Sequence, residues 1–221
     1  DGDLDSVLGI GRILAILQND GRGDFTLIDI GYDAVSYAPI SDIALGDVDG
    51  DGDLDMVSAL QNSAQSIFLN DGQGGISLHP DKTFGAANSD STGIALGDVD
   101  NDGDLDVVVA NGGGDVAQNI HLNDGYGNFG PASDFGGGDS LDIALGDLDN
   151  DGDLDIFVAN YSQFGQGQSN QVWLNHVKVW LPVAMHNYCP DFVDDFSDPA
   201  SGWYVSDDDF MLTEYLDGQY R

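Results

Sequence analysis

The strings IALGDVDGDGDLDMV (43–57), IALGDVDNDGDLDVV (94–108) and IALGDLDNDGDLDIF (143–157) are nearly one sentence, with starts 51 and 49 residues apart. A partial fourth copy, DGDLDSV (1–7), stands 50 residues ahead of Asp51. A second element trails each copy: LQNDGRGDF (17–25), FLNDGQGGI (68–76), HLNDGYGNF (121–129) and finally WLN (173–175). Repetition at this period means one supersecondary unit stacked on its own copies, because a single unit cannot bury its apolar face alone. The chain is therefore expected to be a repeat protein rather than a fold built around one irregular core.

Within a unit the pattern is that of short strands. In the first full copy Ile43-Ala44-Leu45 precedes the aspartate loop and Leu54 to Leu60 follows it. Ser66 to Asn70 leads into an Asn-Asp-Gly turn and Ile76 to His79 leads out. Asn-Gly and Asp-Gly steps between β-type runs are hairpin signals, and helical periodicity is absent. Four short strands in about 40 to 50 residues match a β-propeller blade, with a β-sandwich or β-helix as the competing architectures.

The charge has an unusual make-up. There are 40 acidic against 5 basic residues, for a formal net charge of −35, and Glu214 is the one glutamate. A solvated acidic helix would favour glutamate, the better helix former, whereas aspartate suits turns and offers a short, stiff oxygen donor. Disorder is countered by 41% hydrophobic residues in short runs, enough to build a core. Nucleic acid is excluded as a partner, since Arg12, Arg22, Lys82, Lys178 and Arg221 are scattered and phosphate binding needs clustered cations. Cys189 stands alone, so no disulfide framework can be drawn. No apolar run reaches the roughly 18 residues of a membrane span.

The Asp-x-Asp-x-Asp-Gly-x-x-Asp loop recurring in phase, with Phe84-Gly85-Ala86 and Phe129-Gly130-Pro131 loosely echoing Phe-Gly and Gly-Ala-Pro elements, resembles the FG-GAP or VCBS-type repeats. Their best-known relatives form the propeller of integrin α chains, and the looseness of those elements favours the bacterial branch. The resemblance spans residues 1–175 and implies an all-β, partial β-propeller. It would have about three and a half four-stranded blades, with calcium loops between the first and second strands of each blade. Residue 1 falls inside a loop, and a closed ring would use roughly seven blades, so the chain is expected to be a fragment of a longer protein.

The loop chemistry can be read position by position. In Asp47-Val48-Asp49-Gly50-Asp51-Gly52-Asp53-Leu54-Asp55, carboxylates at positions 1, 3 and 5 converge if the chain curls, and Gly52 permits the turn. Asp53 at position 7 would act through its main-chain carbonyl, Asp55 would close the shell, and Leu54 would anchor the loop to the core. The same reading gives Asp98, Asp100, Asp102, Asp104 and Asp106, then Asp147, Asp149, Asp151, Asp153 and Asp155, with a half-site at Asp1, Asp3 and Asp5. A helix–loop–helix hand is excluded because position 12 is Ser58, Val109 or Val158 rather than glutamate. Hard oxygen donors in a flexible loop point to Ca2+ over softer metals and over magnesium.

Other features carry less. Arg22-Gly23-Asp24, an integrin-recognised triplet, fills the same turn as Gln73-Gly74-Gly75 and Tyr126-Gly127-Asn128, which makes it an accident of a drifting position. Asn160-Tyr161-Ser162 has the form of a glycosylation acceptor. His79, His121, His176 and His186 are isolated, and His186 lies near Cys189 in a linker-like stretch. With no nucleophile elbow, metalloprotease helix or phosphate loop, the expectation is no catalytic residue. Pro182 and Pro190 mark a linker over 176–193, although Val177, Val179, Leu181 and Val183 alternate like one last strand. Residues 194–221 resemble the truncated start of a laminin-G or concanavalin-A-like β-sandwich, or else form a disordered tail. The functional expectation is a calcium-binding module of a secreted or cell-surface protein, for adhesion or for binding carbohydrate or extracellular protein. The alternatives are a scaffold within a polysaccharide-degrading enzyme and a structural spacer.

Overall fold

The computed structural model describes residues 3–32, 38–72, 79–114, 116–161, 169–176 and 179–184, with the short pairs 206–207 and 210–211. Within these the chain is all-β, without a helix. Strands β1 (Ser6–Ile10), β2 (Ile13–Asn19) and β3 (Phe25–Tyr32) make an antiparallel three-stranded sheet. Three four-stranded antiparallel sheets follow, each in sequence order. The second sheet is β4 (Ile40–Gly46), β5 (Asp55–Leu60), β6 (Gln65–Phe68) and β7 (Lys82–Phe84). The third is β8 (Ser91–Gly97), β9 (Asp106–Asn111), β10 (Gln118–His121) and β11 (Ser133–Phe135). The fourth is β12 (Ser140–Gly146), β13 (Asp155–Asn160), β14 (Gln171–His176) and β15 (Val179–Ala184). These described sheets do not close into a barrel or ring.

The sequence repeat becomes a repeat of register. Gly46 pairs with Asp55, Gly97 with Asp106 and Gly146 with Asp155, so each aspartate loop is the hairpin connection between the first two strands of a sheet. Each of those first strands also carries an irregularity near its start, at Ile40/Asp42, Ser91/Gly93 and Ser140/Asp142. Such a bulge bends and twists a strand locally.

The cores lie between sheets. Val48, Val57, Ile67 and Phe84 meet Ile94, Val107 and Val109 across the second and third sheets. Val99, Val108, Ile120 and Phe135 meet Ile143, Ile156 and Val158 across the third and fourth. Leu14, Ile40, Met56 and Phe68 fill the first interface. All six residues of β5 and of β9 are buried, because both faces of these sheets are covered. Docking is keyed by small residues. A Cβ on Gly46 would meet Leu96 and Leu105 at 3.0 and 2.7 Å, and one on Gly97 would meet Leu145 and Leu154 at 2.7 and 2.8 Å.

Two details depart from the sequence reading. The fourth strand of the second sheet is Lys82–Phe84, paired with β6 through Ile67↔Lys82, where the sequence suggested a strand at Ile76 to His79. Of that expected strand only His79 lies among the described residues, and it is exposed. Leu54 does not anchor its loop: it is 59% exposed. Its counterparts Leu105 and Leu154 do, by packing beside Gly46 and Gly97 of the preceding repeat. The alternating run Val179–Ala184 forms β15 on β14. His186, Cys189 and nearly all of 194–221 lie outside the described residues, apart from the two-residue strands Ser206–Asp207 and Phe210–Met211. No helix among the described residues is long and apolar enough to cross a membrane, which says nothing of strand-built barrels.

Candidate metal centre

Each loop is shaped by left-handed residues that its sequence supplies. Position 4 has positive φ as Gly50, Asn101 and Asn150, at 77°, 60° and 61°. Position 6 is Gly52, Gly103 and Gly152, at 95°, 100° and 98°. Glycine takes the wider angle freely, and asparagine is among the side chains that tolerate the narrower one. The curl lets position 1 accept from backbone N–H groups inside its own loop. Asp47 Oδ2 takes Gly52 N–H at 3.0 Å, Asp98 Oδ2 takes Gly103 N–H at 3.0 Å, and Asp147 Oδ2 takes Gly152 N–H at 3.2 Å.

Three carboxylates per loop then come together. Asp47, Asp49 and Asp55 each place an oxygen within 4.8 Å of the others, as do Asp98, Asp100 and Asp106, and Asp147, Asp149 and Asp155. Positions 1, 3 and 9 are thus gathered. Position 5 is not in these groups: Asp51, Asp102 and Asp151 each turn an oxygen back to the N–H of position 7, at 3.0 Å in all three loops. The position-7 carboxylates face elsewhere too. Asp53 and Asp104 lie over the turn glycines Gly72 and Gly125, where an added Cβ would collide with their carboxylate oxygens. Asp153 accepts from Asn101 Nδ2 of the preceding loop at 2.6 Å. In the partial loop Asp3 lies likewise over Gly21, and Asp5 accepts the Asn19 N–H at 2.9 Å. Asp1 lies outside the described residues.

Position 9 has the most constrained surroundings. Asp55, Asp106 and Asp155 have no exposed surface. One oxygen of each accepts the N–H of position 2: Val48 at 2.9 Å, Val99 at 3.0 Å and Leu148 at 2.8 Å. The other accepts the N–H of the asparagine in the trailing element: Asn70, Asn123 and Asn175, each at 2.8 Å. Burial pushes the Asp55 and Asp106 carboxyls above the ordinary range, Asp106 to about 6, against the pull of these two N–H donors. The neighbouring charges of Asp49 and Asp51, and of Asp100 and Asp102, push the same way. A buried acid crowded by two others is what a cation would relieve. The donor set is hard oxygen throughout, so the residues present fit a Ca2+ ion.

The asparagines were missed as site residues, although the signal was legible. Leu-x-Asn or Leu-Asn closes all four trailing elements, at Asn19, Asn70, Asn123 and Asn175. The Arg22-Gly23-Asp24 triplet is held as part of its turn, with the Arg22 and Asp24 N–H groups both donating to Asp20 Oδ1. Tyr126 and Asn128 do the same to Asp124. His121 is core: it is buried, edge-on to Phe84, with Nδ1 2.9 Å from the Gly130 carbonyl. The Asn160 amide is engaged by Ser140 and by the Ser169 carbonyl.

Comparison with known proteins gives three findings. No curated protein matches the chain. Among solved structures it is similar to the V. cholerae biofilm matrix protein Bap1, at 15% identity and a TM-score of 0.43, over 73% of this chain and 24% of that one. The chain thus spans about a quarter of that protein's structure. The model of the FG-GAP-like repeat matches residues 47–109 and 98–158, which together cover just over half of the 221 residues and all three complete loops. By that match the chain belongs to the FG-GAP-like repeat family.

Proposed function

We propose that residues 1–175 are an open portion of a β-propeller whose blades are locked by structural Ca2+ ions, in a secreted or cell-surface protein that acts by adhesion. The observation that carries this is the threefold convergence of positions 1, 3 and 9 at one place in three successive sheets. Asp47, Asp49 and Asp55, with Asp98, Asp100 and Asp106 and Asp147, Asp149 and Asp155, supply carboxylate oxygens. Asp51, Asp102 and Asp151 complete the shells, and Asp53, Asp104 and Asp153 contribute main-chain carbonyls. Asp1, Asp3 and Asp5 belong to a half-site. The ion supplies charge neutralisation, and no residue is assigned a catalytic role.

The energetics favour an outside location. Extracellular modules bind Ca2+ with dissociation constants of roughly 0.1 to 1 mM. At ten times such a constant each site adds about 1.4 kcal/mol by mass action, and three add on the order of 4 kcal/mol. Cytosolic calcium is too scarce to fill such sites. The ligand engaged in adhesion is a carbohydrate or an extracellular protein. Because Val179–Ala184 completes the fourth sheet, only the later part of 176–193 is left as a linker to a further domain opening at 194–221.

The test is thermal unfolding in millimolar calcium and in excess EDTA. A rise of roughly 8 to 16 °C with calcium is expected for a chain of this size. Equal melting temperatures would remove the structural role.

A further inference from the structure

The three position-9 acids are joined by an unbroken run of hydrogen bonds that crosses three sheets. Asp55 Oδ2 accepts the Val48 N–H at 2.9 Å, and the Val48 carbonyl accepts Asn123 Nδ2 at 2.8 Å. The Asn123 N–H donates to Asp106 Oδ1 at 2.8 Å, and Asp106 Oδ2 accepts the Val99 N–H at 3.0 Å. The Val99 carbonyl accepts Asn175 Nδ2 at 2.8 Å, and the Asn175 N–H donates to Asp155 Oδ1 at 2.8 Å. Val48, Val99, Asn123 and Asn175 are 1%, 4%, 6% and 4% exposed. Water therefore competes little for these bonds, and their loss would leave buried groups unsatisfied.

The two valines sit where this run can sense a cation. Val48 lies between Asp47 and Asp49, and Val99 between Asp98 and Asp100, the acids that converge in each loop. Holding both flanking carboxylates on one ion fixes the peptide planes on either side of the valine. One plane carries the N–H bound to the loop's own position-9 acid. The other carries the carbonyl bound to the asparagine of the next repeat.

We infer that Asn123 and Asn175 are positioning residues that couple neighbouring loops, so that filling one loop tightens calcium binding at the next. The inference rests on the calcium reading above. The physical basis is shared ordering: a loop already fixed by its ion presents a fixed carbonyl to the asparagine. That asparagine holds a ligand of the adjacent loop, which then loses less freedom when it binds. Coupling is reciprocal, and between linked sites it commonly amounts to fivefold or more.

The 221-residue chain, stripped with chelator, is titrated with Ca2+ alone by calorimetry, and again as Asp100→Asn, which disables the middle loop. Both are repeated with Asn123→Ala and Asn175→Ala together. In the asparagine background Asp100→Asn is expected to weaken the outer loops about fivefold or more. In the alanine background it should change them by less than about twofold. Amide exchange at Val48 gives a readout that needs no alanine variant to fold. In Asp47→Asn, whose own loop is disabled, calcium is still expected to slow exchange there, through Asn123. A merely structural role for the asparagines lowers the melting temperature but leaves the Asp100→Asn effect equal in both backgrounds, and that result overturns the coupling. So does Val48 exchange in Asp47→Asn that ignores calcium. Both results leave the calcium reading standing, whereas a wild-type chain that takes up no calcium overturns both.

Discussion

The middle and last loops, Asp98–Asp106 and Asp147–Asp155, differ at one residue of nine, Val99 against Leu148, yet they are held differently. Val99 is 4% exposed and its carbonyl is bound by Asn175, while Leu148 at the same position is 50% exposed. Gly97 is packed against two leucines of the following repeat, whereas nothing among the described residues lies within 4 Å of a Cβ placed on Gly146. Asp98 and Asp100 are half-buried and Asp147 and Asp149 are exposed. Both loops nonetheless gather the same three carboxylates and bury the same aspartate. The lesson is a division of labour: a loop's shape comes from its own nine residues, and its shielding comes from the repeat that follows.

The largest expected effect tests what the loops share. Asp106→Ala leaves two buried N–H groups without their acceptor, and Asp155→Ala leaves one buried and one part-buried, at about 1 to 3 kcal/mol per buried group. Chemical denaturation should show losses of about 2 to 5 kcal/mol in both. A loss confined to Asp106→Ala would break the claim that shape is local. The next effect tests what differs. Gly97→Ala forces a methyl against Leu145 and Leu154 and should cost about 1 to 3 kcal/mol. Gly146→Ala should stay within about 0.5 kcal/mol of wild type. Equal costs would mean that the sheet interface is not keyed by this glycine.

A pH dependence follows from Asp106. Its carboxyl is raised to about 6 by burial in the metal-free fold, above the roughly 3.9 of an unfolded aspartate. The folded state therefore favours the neutral acid. That contribution is fully present below about 3.9 and is lost as pH rises through 6. In EDTA the chain should lose stability over this window, and calcium, which needs the carboxylate, should restore it. The calcium-dependent rise in melting temperature is thus expected to grow between pH 5 and 7. A rise that shrinks over that range would contradict the protonation of the empty middle loop. The smallest effect sharpens the contrast further: Leu148→Ser should change stability by less than about 0.5 kcal/mol, being a surface change. Val99→Ser, by burying a hydroxyl and losing core volume, should cost clearly more.

Much of this was legible from the residues. The phase of the copies located the hairpin loops, since Gly-Asp precedes and Leu-Asp ends each loop where β4/β5, β8/β9 and β12/β13 turn. The curl was legible in the glycine at position 6, but the expected partner of positions 1 and 3 was position 5. The structure gathers position 9 with them instead, and position 5 turns back to the N–H of position 7. What a single loop cannot reveal is which group meets it from far away in the chain. Asn123 reaches Val48 across 75 positions and Asn175 reaches Val99 across 76. Without those partners position 9 reads as a metal donor alone, and the asparagine as a turn residue. Leu54 misled for the same reason: whether a leucine at position 8 is anchored depends on the glycine of the preceding repeat, not on its own loop.

The most direct measurement of the central claim is long-wavelength anomalous diffraction from crystals grown in calcium. Three peaks are expected, each 2.3 to 2.6 Å from carboxylate oxygens, one amid Asp47, Asp49 and Asp55, one amid Asp98, Asp100 and Asp106, and one amid Asp147, Asp149 and Asp155. Asp49→Asn, Asp100→Asn and Asp149→Asn should each remove or weaken the peak in their own loop. Carboxylates gathered as described here around no anomalous signal, with calcium abundant in the crystal, would contradict it.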